Sequence, residues 1–396
     1  MVKVLHVFYS FFPDLSGSSI RSAGIIRGQA MQGMKVAAVS SPFQPGPGPG
    51  SVDEFHGVRV YRAYRPGAPH ISETGSTILA RFRKVSSFPR FVWVIRKIAK
   101  KERAAVIHAH STFYCALAAY LAARSLGIKV IYEFRSLWEE RARDLSVSYR
   151  IQAALSRFLE SLSLRVADRV VAINETLKRE IVARGVRADR VDVVPNAVDD
   201  ELIERGSCLE PPVKVRRFGY IGNLSKIEGL DALVAAFKRA FPGDEDVELL
   251  FHGFGAYEPE LRRLIEAAGD PRIRVCGPFS RDEVESVYRT VDCIVLPRRR
   301  SKLNDTVTPL KPLEAMAFKR LVCVSDARGL LEVIGDRANA CVFAAGNVQE
   351  LASLLRRIYL GEINAREVAT RGHEFVRRHR AWNAVARAYS EIYAKC

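Results

Sequence analysis

In the stretch TVTPLKPLEAMAFKRLVCVSD, residues 306–326, two prolines bracket a lysine. A glutamate falls on the first turn of a short helix of small residues, and a β-branched, apolar strand follows. Pro309 and Pro312 lack an amide hydrogen, and Pro312 suits the first helical position. That leaves Leu310, Lys311, Leu313 and Glu314 to present N–H groups without helical partners. Amides aimed out of a helix start bind phosphate. A lysine has the wrong charge for the positive end of a helix dipole unless an anion balances it, so Lys311 beside these amides predicts an anion site. The alternative is an exposed lysine next to a helix-start glutamate.

Other groups capable of chemistry lie where predicted strands end. LPRRRSKLND (296–305) runs directly into this stretch with Arg298, Arg299, Arg300 and Lys302, as a solvated loop or as the rim of an anion pocket. Adjacency favours the rim for Arg298. GNLSKIEGL (222–230) is a glycine-bounded turn in which Lys226, near Gly222, can meet a phosphate or stay solvated. In HGFG (252–255), Gly253 and Gly255 allow a flat ligand close to the backbone. Gly17, among Ser16, Ser18 and Ser19, reads equally as a ligand-facing helix start and as an ordinary turn. His110 ends the strand in HAHS, and YEFRSLWEE (132–140) delivers Glu133, Arg135, Trp138 and Glu139 to a similar edge. Carboxyl ends of parallel strands line ligand crevices. His110, Glu133 and Arg135 are therefore candidates for a substrate pocket, with a purely structural Glu133–Arg135 pair as the alternative.

Positioning such groups requires parallel α/β sheets. Apolar runs at 3–9, 35–40, 58–61, 105–109, 129–134, 169–173 and 191–194 predict buried strands, with helices that include 149–166 and 175–184. A Pro-Pro pair and a change of composition within 195–214 mark a boundary. Strands at 217–221, 247–251, 273–276, 293–296 and 340–343 then build a second domain. PGPGPG at 45–50 reads as a surface loop. In the final stretch, Trp382, Val385, Tyr389, Ile392 and Tyr393 have helical spacing, so the terminus is expected to dock on something.

The 396 residues carry 61 Lys and Arg against 44 Asp and Glu, a net charge of +17, which suggests a polyanionic partner. A nucleic acid is not expected, since there is no RNP-like strand, zinc pattern or recognition helix and the basic residues are dispersed. Residues 79–103 hold nine basic residues and one acid with Phe82, Phe88, Phe91 and Trp93 interleaved. Such a segment either lies on an anionic membrane surface or is a core helix with a basic back. No apolar run reaches eighteen residues, and MVKVLHVFYSFF reads as a first strand and not an export signal, so a cytoplasmic protein is expected. Seven scattered cysteines without a CxxC pair predict reduced thiols and no metal site.

The chain resembles the two-domain GT-B glycosyltransferases of family 4, most nearly those associated with exosortase-type exopolysaccharide loci. The likeness rests on LHVFYSFFPDLSGSSIRS, SPFQP, DEFHGVRVYR, YEFRSLWEE, VVPNAVD, YIGNLSKIEGL, VLPRRRSKLNDTVTPLKPLEAMA and the terminal tryptophan helix, in order and spacing. It implies an α/β architecture of two Rossmann-like domains facing each other across a cleft. Residues 1–200 would bind acceptor and 201–376 the nucleotide sugar, with 377–396 crossing back to the first domain. It further implies transfer with retention of configuration, without metal or other cofactor, from a UDP- or GDP-sugar. The acceptor would be lipid-linked or a glycan, at the inner face of the cytoplasmic membrane.

These readings place chemistry at His110, Glu133, Arg135, Lys226 and Lys311. Donor binding falls to Gly17, Gly222, Lys226, Gly253 and Gly255, and to Arg298, Thr306, Thr308, Leu310, Lys311 and Glu314. Glu314 matches the family glutamate that accepts hydrogen bonds from the nucleotide ribose. The chain departs from the family where a paired glutamate is usual, at Thr306, and where an Arg and a Lys are common, at Asn223 and Glu228. Arg135 stands where a histidine is frequent. A sugar-nucleotide hydrolase or epimerase on the same fold, and a non-catalytic polyanion-binding protein, are the competing functions.

Overall fold

The computed structural model describes residues 2–14, 16–44, 51–64, 78–137, 140 and 147–396, with backbone alone at 78–82 and 147–149. The PGPGPG stretch, Trp138, Glu139 and the Phe82 side chain lie outside these. The chain forms two compact units, Met1–Pro195 together with Trp382–Cys396, and Asn196–Ala381. The expected divisions fall after 200 and after 376.

Among the described residues, the first unit contains strands β1 (Lys3–Phe8), β2 (Lys35–Ser40), β3 (Val52–Phe55), β4 (Val58–Arg62), β5 (Val106–His110), β6 (Lys129–Phe134), β7 (Arg169–Ala172) and β8 (Val191–Val193). They form one sheet in the order β3-β4-β2-β1-β5-β6-β7-β8. All pairings are parallel except β3 with β4, a hairpin turned at His56 and Gly57, both with positive φ. Sequence patterning does not predict β3, whose four residues alternate between exposed and half-buried.

Strand alternation gives this sheet two different faces. On one, Leu5, Val7, Ile107, Ala109 and Tyr132 join an apolar core with residues of the helices Ile78–Glu102 and Phe113–Arg124. Phe91, Ile95 and Ile98 belong to that core, so this side of the basic segment is ordinary packing, while Trp93 points outward. On the other face the intervening residues include His6, His108, His110 and Glu133, brought abreast by the registers His6↔His108 and His110↔Glu133. The helices Gly17–Met31 and Trp382–Ala394 cover them. Trp382, Val385, Tyr389, Ile392 and Tyr393 are all buried there.

The second unit is a parallel sheet of β9 (Arg217–Ile221), β10 (Glu248–His252), β11 (Ile273–Gly277), β12 (Cys293–Leu296), β13 (Leu321–Ser325) and β14 (Cys341–Phe343), in the order β11-β10-β9-β12-β13-β14. The strand order reverses beside β9, which lies between β10 and β12. Crevices at the carboxyl ends of strands flanking such a reversal are where ligands bind in open α/β sheets. Asparagine caps start helices in both units, Asn174 in the first and Asn347 and Asn364 in the second, each accepting from the amide three residues on. The cysteines described are free thiols.

Helix Gly17–Met31 approaches the terminal helix so closely that a Cβ built on Gly24 would lie 2.0 Å from Trp382 Nε1. Gly24→Ala is therefore expected to lower stability by about 1–3 kcal/mol through overpacking, read as an earlier urea midpoint with a red shift of tryptophan emission; an unchanged midpoint would show that the two helices separate freely.

Candidate functional site

In the second unit, the loops leaving β9 and β12 meet over one carboxylate. Glu228 lies in the 3-10 turn Lys226–Glu228 after β9, and Arg298 follows β12 directly. The guanidinium grips Glu228 with both ends, Nε to Oε2 at 2.9 Å and Nη2 to Oε1 at 2.8 Å. Lys311 Nζ donates to the same Oε1 at 2.7 Å and sits 5.0 Å above the ring of Tyr220 on β9. Burial would raise the Glu228 carboxyl, but Arg298 and Lys311 bring it down to about 2. The triad carries one negative and two positive charges, so a positive charge remains for an anion. Arg298 is held further by its own backbone, whose carbonyl accepts from Ser325 Oγ at 2.6 Å.

The anion stretch folds as the short helix Lys311–Ala317, with Lys311 as its first residue and Pro312 just inside. The amides of Leu313 and Glu314 close onto the Leu310 carbonyl at 3.0 and 3.1 Å. Two of the four amides expected to face a ligand are thereby committed. Glu314 accepts from Tyr288 Oη at 3.3 Å, and burial raises its carboxyl above the usual range. Thr306 donates to the Lys302 carbonyl at 2.7 Å and is buried, so no charge replaces the family glutamate there. Thr308 is held through Asn196 Nδ2, 2.7 Å from its carbonyl and 3.0 Å from its hydroxyl.

Several expectations are corrected. Lys226 is exposed, and it is Glu228 of the same turn that points inward. Of the LPRRR arginines only Arg298 enters the site; Arg299 and Arg300 pair outward with Asp231 and Asp326. At the glycine loops the Cβ direction of each glycine is filled by protein. A Cβ on Gly253 would lie 2.0 Å from the Gly222 carbonyl oxygen, and one on Gly222 would lie 2.3 Å from Lys311 Cε. Both have φ of 134°, where only glycine is at ease. A Cβ on Gly255 would likewise meet the Leu224 carbonyl. These glycines let the loops and Lys311 close on each other.

Gly17 lies in the first unit, where the start of its helix is already supplied with a carboxylate. Asp14 accepts from Ser16 N at 3.2 Å and from the Ser16 and Ser19 hydroxyls at 2.7 Å each.

His110, Glu133 and Arg135 come together, but as a closed structural layer. Glu133, wholly buried, accepts from Arg21 Nε at 2.9 Å, Arg135 Nε at 2.7 Å and Tyr389 Oη at 2.6 Å. Burial raises its carboxyl, yet Arg21 and Arg135 hold it well below the usual range. Arg135 spends its remaining donors on the Ser18 carbonyl, the Ser18 and Ser22 hydroxyls and His110 Nδ1, the last at 2.7 Å.

A guanidinium only donates, and that fixes the direction of a long relay. His110 must carry its proton on Nε2, which faces His6 Nδ1 at 2.8 Å. His6 Nε2 donates to Gln29 Oε1 at 2.9 Å, and Gln29 Nε2 reaches Tyr393 Oη at 2.9 Å. Tyr393 Oη then donates to His108 Nδ1 at 2.8 Å. With both ring nitrogens engaged and 1% exposure, His110 has no lone pair for a substrate. Nitrogens of His6, His108 and His110 lie within 4.8 Å of one another. A cation among them would break the His6–His110 bond beside two arginines, so neutral hydrogen-bonded rings account for the cluster better. Sequence reasoning overlooked Arg21, which reads as a surface residue until the helix is seen to be buried on both sides. It also named Glu228 as a departure without seeing that it is the residue the cations share.

Burial lowers His6 from 6.5 to about 4 and His110 to about 3. The unfolded chain binds these protons first, so stability is complete above pH 6.5 and is lost as pH falls through 4, His6 alone accounting for roughly 3 kcal/mol. Hydrogen exchange in β1 and β5 should accelerate across that window, and less so in His6→Gln; protection constant from pH 6.5 to 4 would refute neutral rings.

The family model for the glycosyl transferase 4-like domain matches residues 16–197, and that for glycosyl transferases group 1 matches residues 215–360. The 2-deoxystreptamine glucosyltransferase of Streptomyces kanamyceticus is 25% identical over 264 residues, 64% of this chain and 67% of that protein. The amylovoran biosynthesis glycosyltransferase AmsK of Erwinia amylovora is 23% identical over 198 residues, about half of each, 49% and 48%. The solved structure of Anabaena Alr3699/HepE in complex with UDP shares the fold over 100% of both chains, with a TM-score of 0.72 at 15% identity. With both halves matched in order and the fold shared along the whole length, the chain belongs to the GT-B glycosyltransferases, a glycosyl transferase 4-like domain followed by a glycosyl transferases group 1 domain.

Proposed function

We propose that the chain moves a sugar from a UDP- or GDP-sugar to a lipid-linked or glycan acceptor in exopolysaccharide or cell-envelope glycan synthesis. Transfer retains anomeric configuration, as the resemblance implies, and takes place at the inner face of the cytoplasmic membrane, where residues 79–103 contribute contact. The amylovoran relative and the UDP complex of Anabaena Alr3699/HepE support the chemistry of acceptor and donor. One observation carries the reading: Glu228 clamps Arg298 and Lys311 side by side at the sheet's strand-order reversal.

As the bond from the anomeric carbon to the diphosphate breaks, its electron pair stays with the nucleoside diphosphate. Fixed cations that need no reorganisation stabilise that charge best, and here they take the place of a metal ion. Lys311 is the cation nearest the opening, with a 16% exposed side chain against 6% for Arg298. Lys311 contacts the diphosphate while Arg298 holds Glu228, and through it the lysine, in place. Relative to the family pattern, a lysine missing at 228 is supplied from 311, and a carboxylate missing at 306 reappears at 228. Glu314 receives the ribose hydroxyls. His110, Glu133 and Arg135 position the first unit and take no proton from the acceptor.

Lys311→Ala is expected to lower kcat by 10²–10³-fold, the usual cost of removing one such donor, and Glu314→Gln to weaken UDP binding in calorimetry by about tenfold, the loss of a charged hydrogen bond. Glu314→Gln should keep the wild-type unfolding midpoint, whereas Lys311→Ala, which takes from Glu228 one of its two cations, should keep the wild-type circular dichroism at a lower midpoint. Full transfer activity in both would remove the assignment of this site. Release of free sugar without acceptor would identify a hydrolase, and binding without turnover a polyanion-binding protein.

A further inference from the structure

The helix Val147–Val166 leaves four large apolar residues in water: Ile151, Leu155, Phe158 and Leu162. Their spacing of four, three and four places them in one narrow stripe along the helix. Ile151 and Phe158 are 68% and 64% exposed. The opposite face is committed to the core. Leu164 is buried, and Glu160 accepts from Phe113 N at 3.0 Å and Tyr132 Oη at 2.6 Å.

This stripe belongs to a layer of three neighbouring helices. Phe113–Arg124 lies between the other two, stacking Tyr114 on Phe91 of helix Ile78–Glu102 and giving its first amide to Glu160. Helix Ile78–Glu102 also exposes Val85 and Trp93, and Lys97 lies 5.1 Å above the Trp93 ring. The charge of the layer has one sign. Helix Ile78–Glu102 has eight Lys and Arg and one acid, Glu102; helix Val147–Val166 has Arg150, Arg157 and Arg165 and one acid, Glu160; Phe113–Arg124 has Arg124 and none. Both acids are buried and bonded inward, Glu102 to Lys3, Arg59 and Tyr61. The three helices therefore present apolar side chains among cations with no carboxylate in the water.

The geometry points to an anionic lipid bilayer as the partner of this face, with the Val147–Val166 stripe entering the headgroup boundary and the basic residues engaging the lipid phosphates. A basic protein would leave the uniform charge unmatched and a wholly polar acidic one the apolar stripe, whereas an anionic bilayer answers both. The inference rests on the reading of an acceptor at the membrane, and it moves the main anchor from residues 79–103, whose Phe91, Ile95 and Ile98 are core, to the later helix.

The test is partition of the full chain onto vesicles of phosphatidylglycerol and phosphatidylcholine, with pure phosphatidylcholine as comparison. Wild type should bind the anionic vesicles, less so in high salt, and the exposed pair Leu155→Ser with Phe158→Ser should lower the partition coefficient at least tenfold at unchanged circular dichroism. Equal partition of the pair variant, or no binding by wild type, overturns the proposal. So does a wild-type dimer in sedimentation that the pair variant dissociates, since a second copy then covers the stripe. Calorimetry with UDP and with GDP on the same preparations separates the two readings: nucleotide binding without vesicle binding defeats this surface and spares the transferase, and vesicle binding without binding of either nucleotide does the reverse.

Discussion

A carboxylate taken out of water must be met by positive charge and hydrogen bonds, and each unit is built around one such group. Glu133 sits between Arg21 and Arg135, and Glu228 between Arg298 and Lys311. Removing either acid would leave two buried cations facing each other, a far larger cost than losing an exposed pair. The two clusters are nevertheless tuned to different ends. In the first unit the surplus charge is absorbed by backbone carbonyls of Ser18, Val194 and Pro195 and by a relay of neutral rings. In the second unit Lys311 keeps some contact with solvent, and no comparable relay closes over it among the described residues.

The strands of both sheets were legible because a parallel strand buried on two faces is a continuous apolar run, and β2, β6, β9 and β12 match their predicted bounds. The hairpin strand β3 was not, since four alternating residues at a sheet edge resemble any loop. The terminal helix announced itself through its aromatic spacing, but its polar partners did not: Tyr389 and Tyr393 have their hydroxyls among Glu133, Gln29 and His108, contacts that no local pattern encodes.

The same distinction holds at the site. Lys311 and Arg298 were legible from proximity to proline-bounded and arginine-rich stretches. Glu228 was not, because an acid in a turn reads as solvated until cations 70 and 83 residues further along reach it. Gly253 and Gly255 read in the sequence as places of close approach, and in the fold their Cβ directions face the Gly222 and Leu224 carbonyls of the neighbouring loop. His110 was singled out for lying at a strand end, and the edge position is real; the arginine that uses its lone pair is the part that only the fold could supply.

The first unit is interrupted in the chain: its last helix, Trp382–Ala394, follows 186 residues that belong wholly to the second. During synthesis the second unit emerges complete and can close its core while the first still lacks Tyr389, one of three donors to Glu133. For that interval the nascent first unit holds a desolvated carboxylate with part of its shell missing and an uncovered face beside Gly24 and Gly28. The unit that comes first along the chain is thus the last to have all its residues in hand.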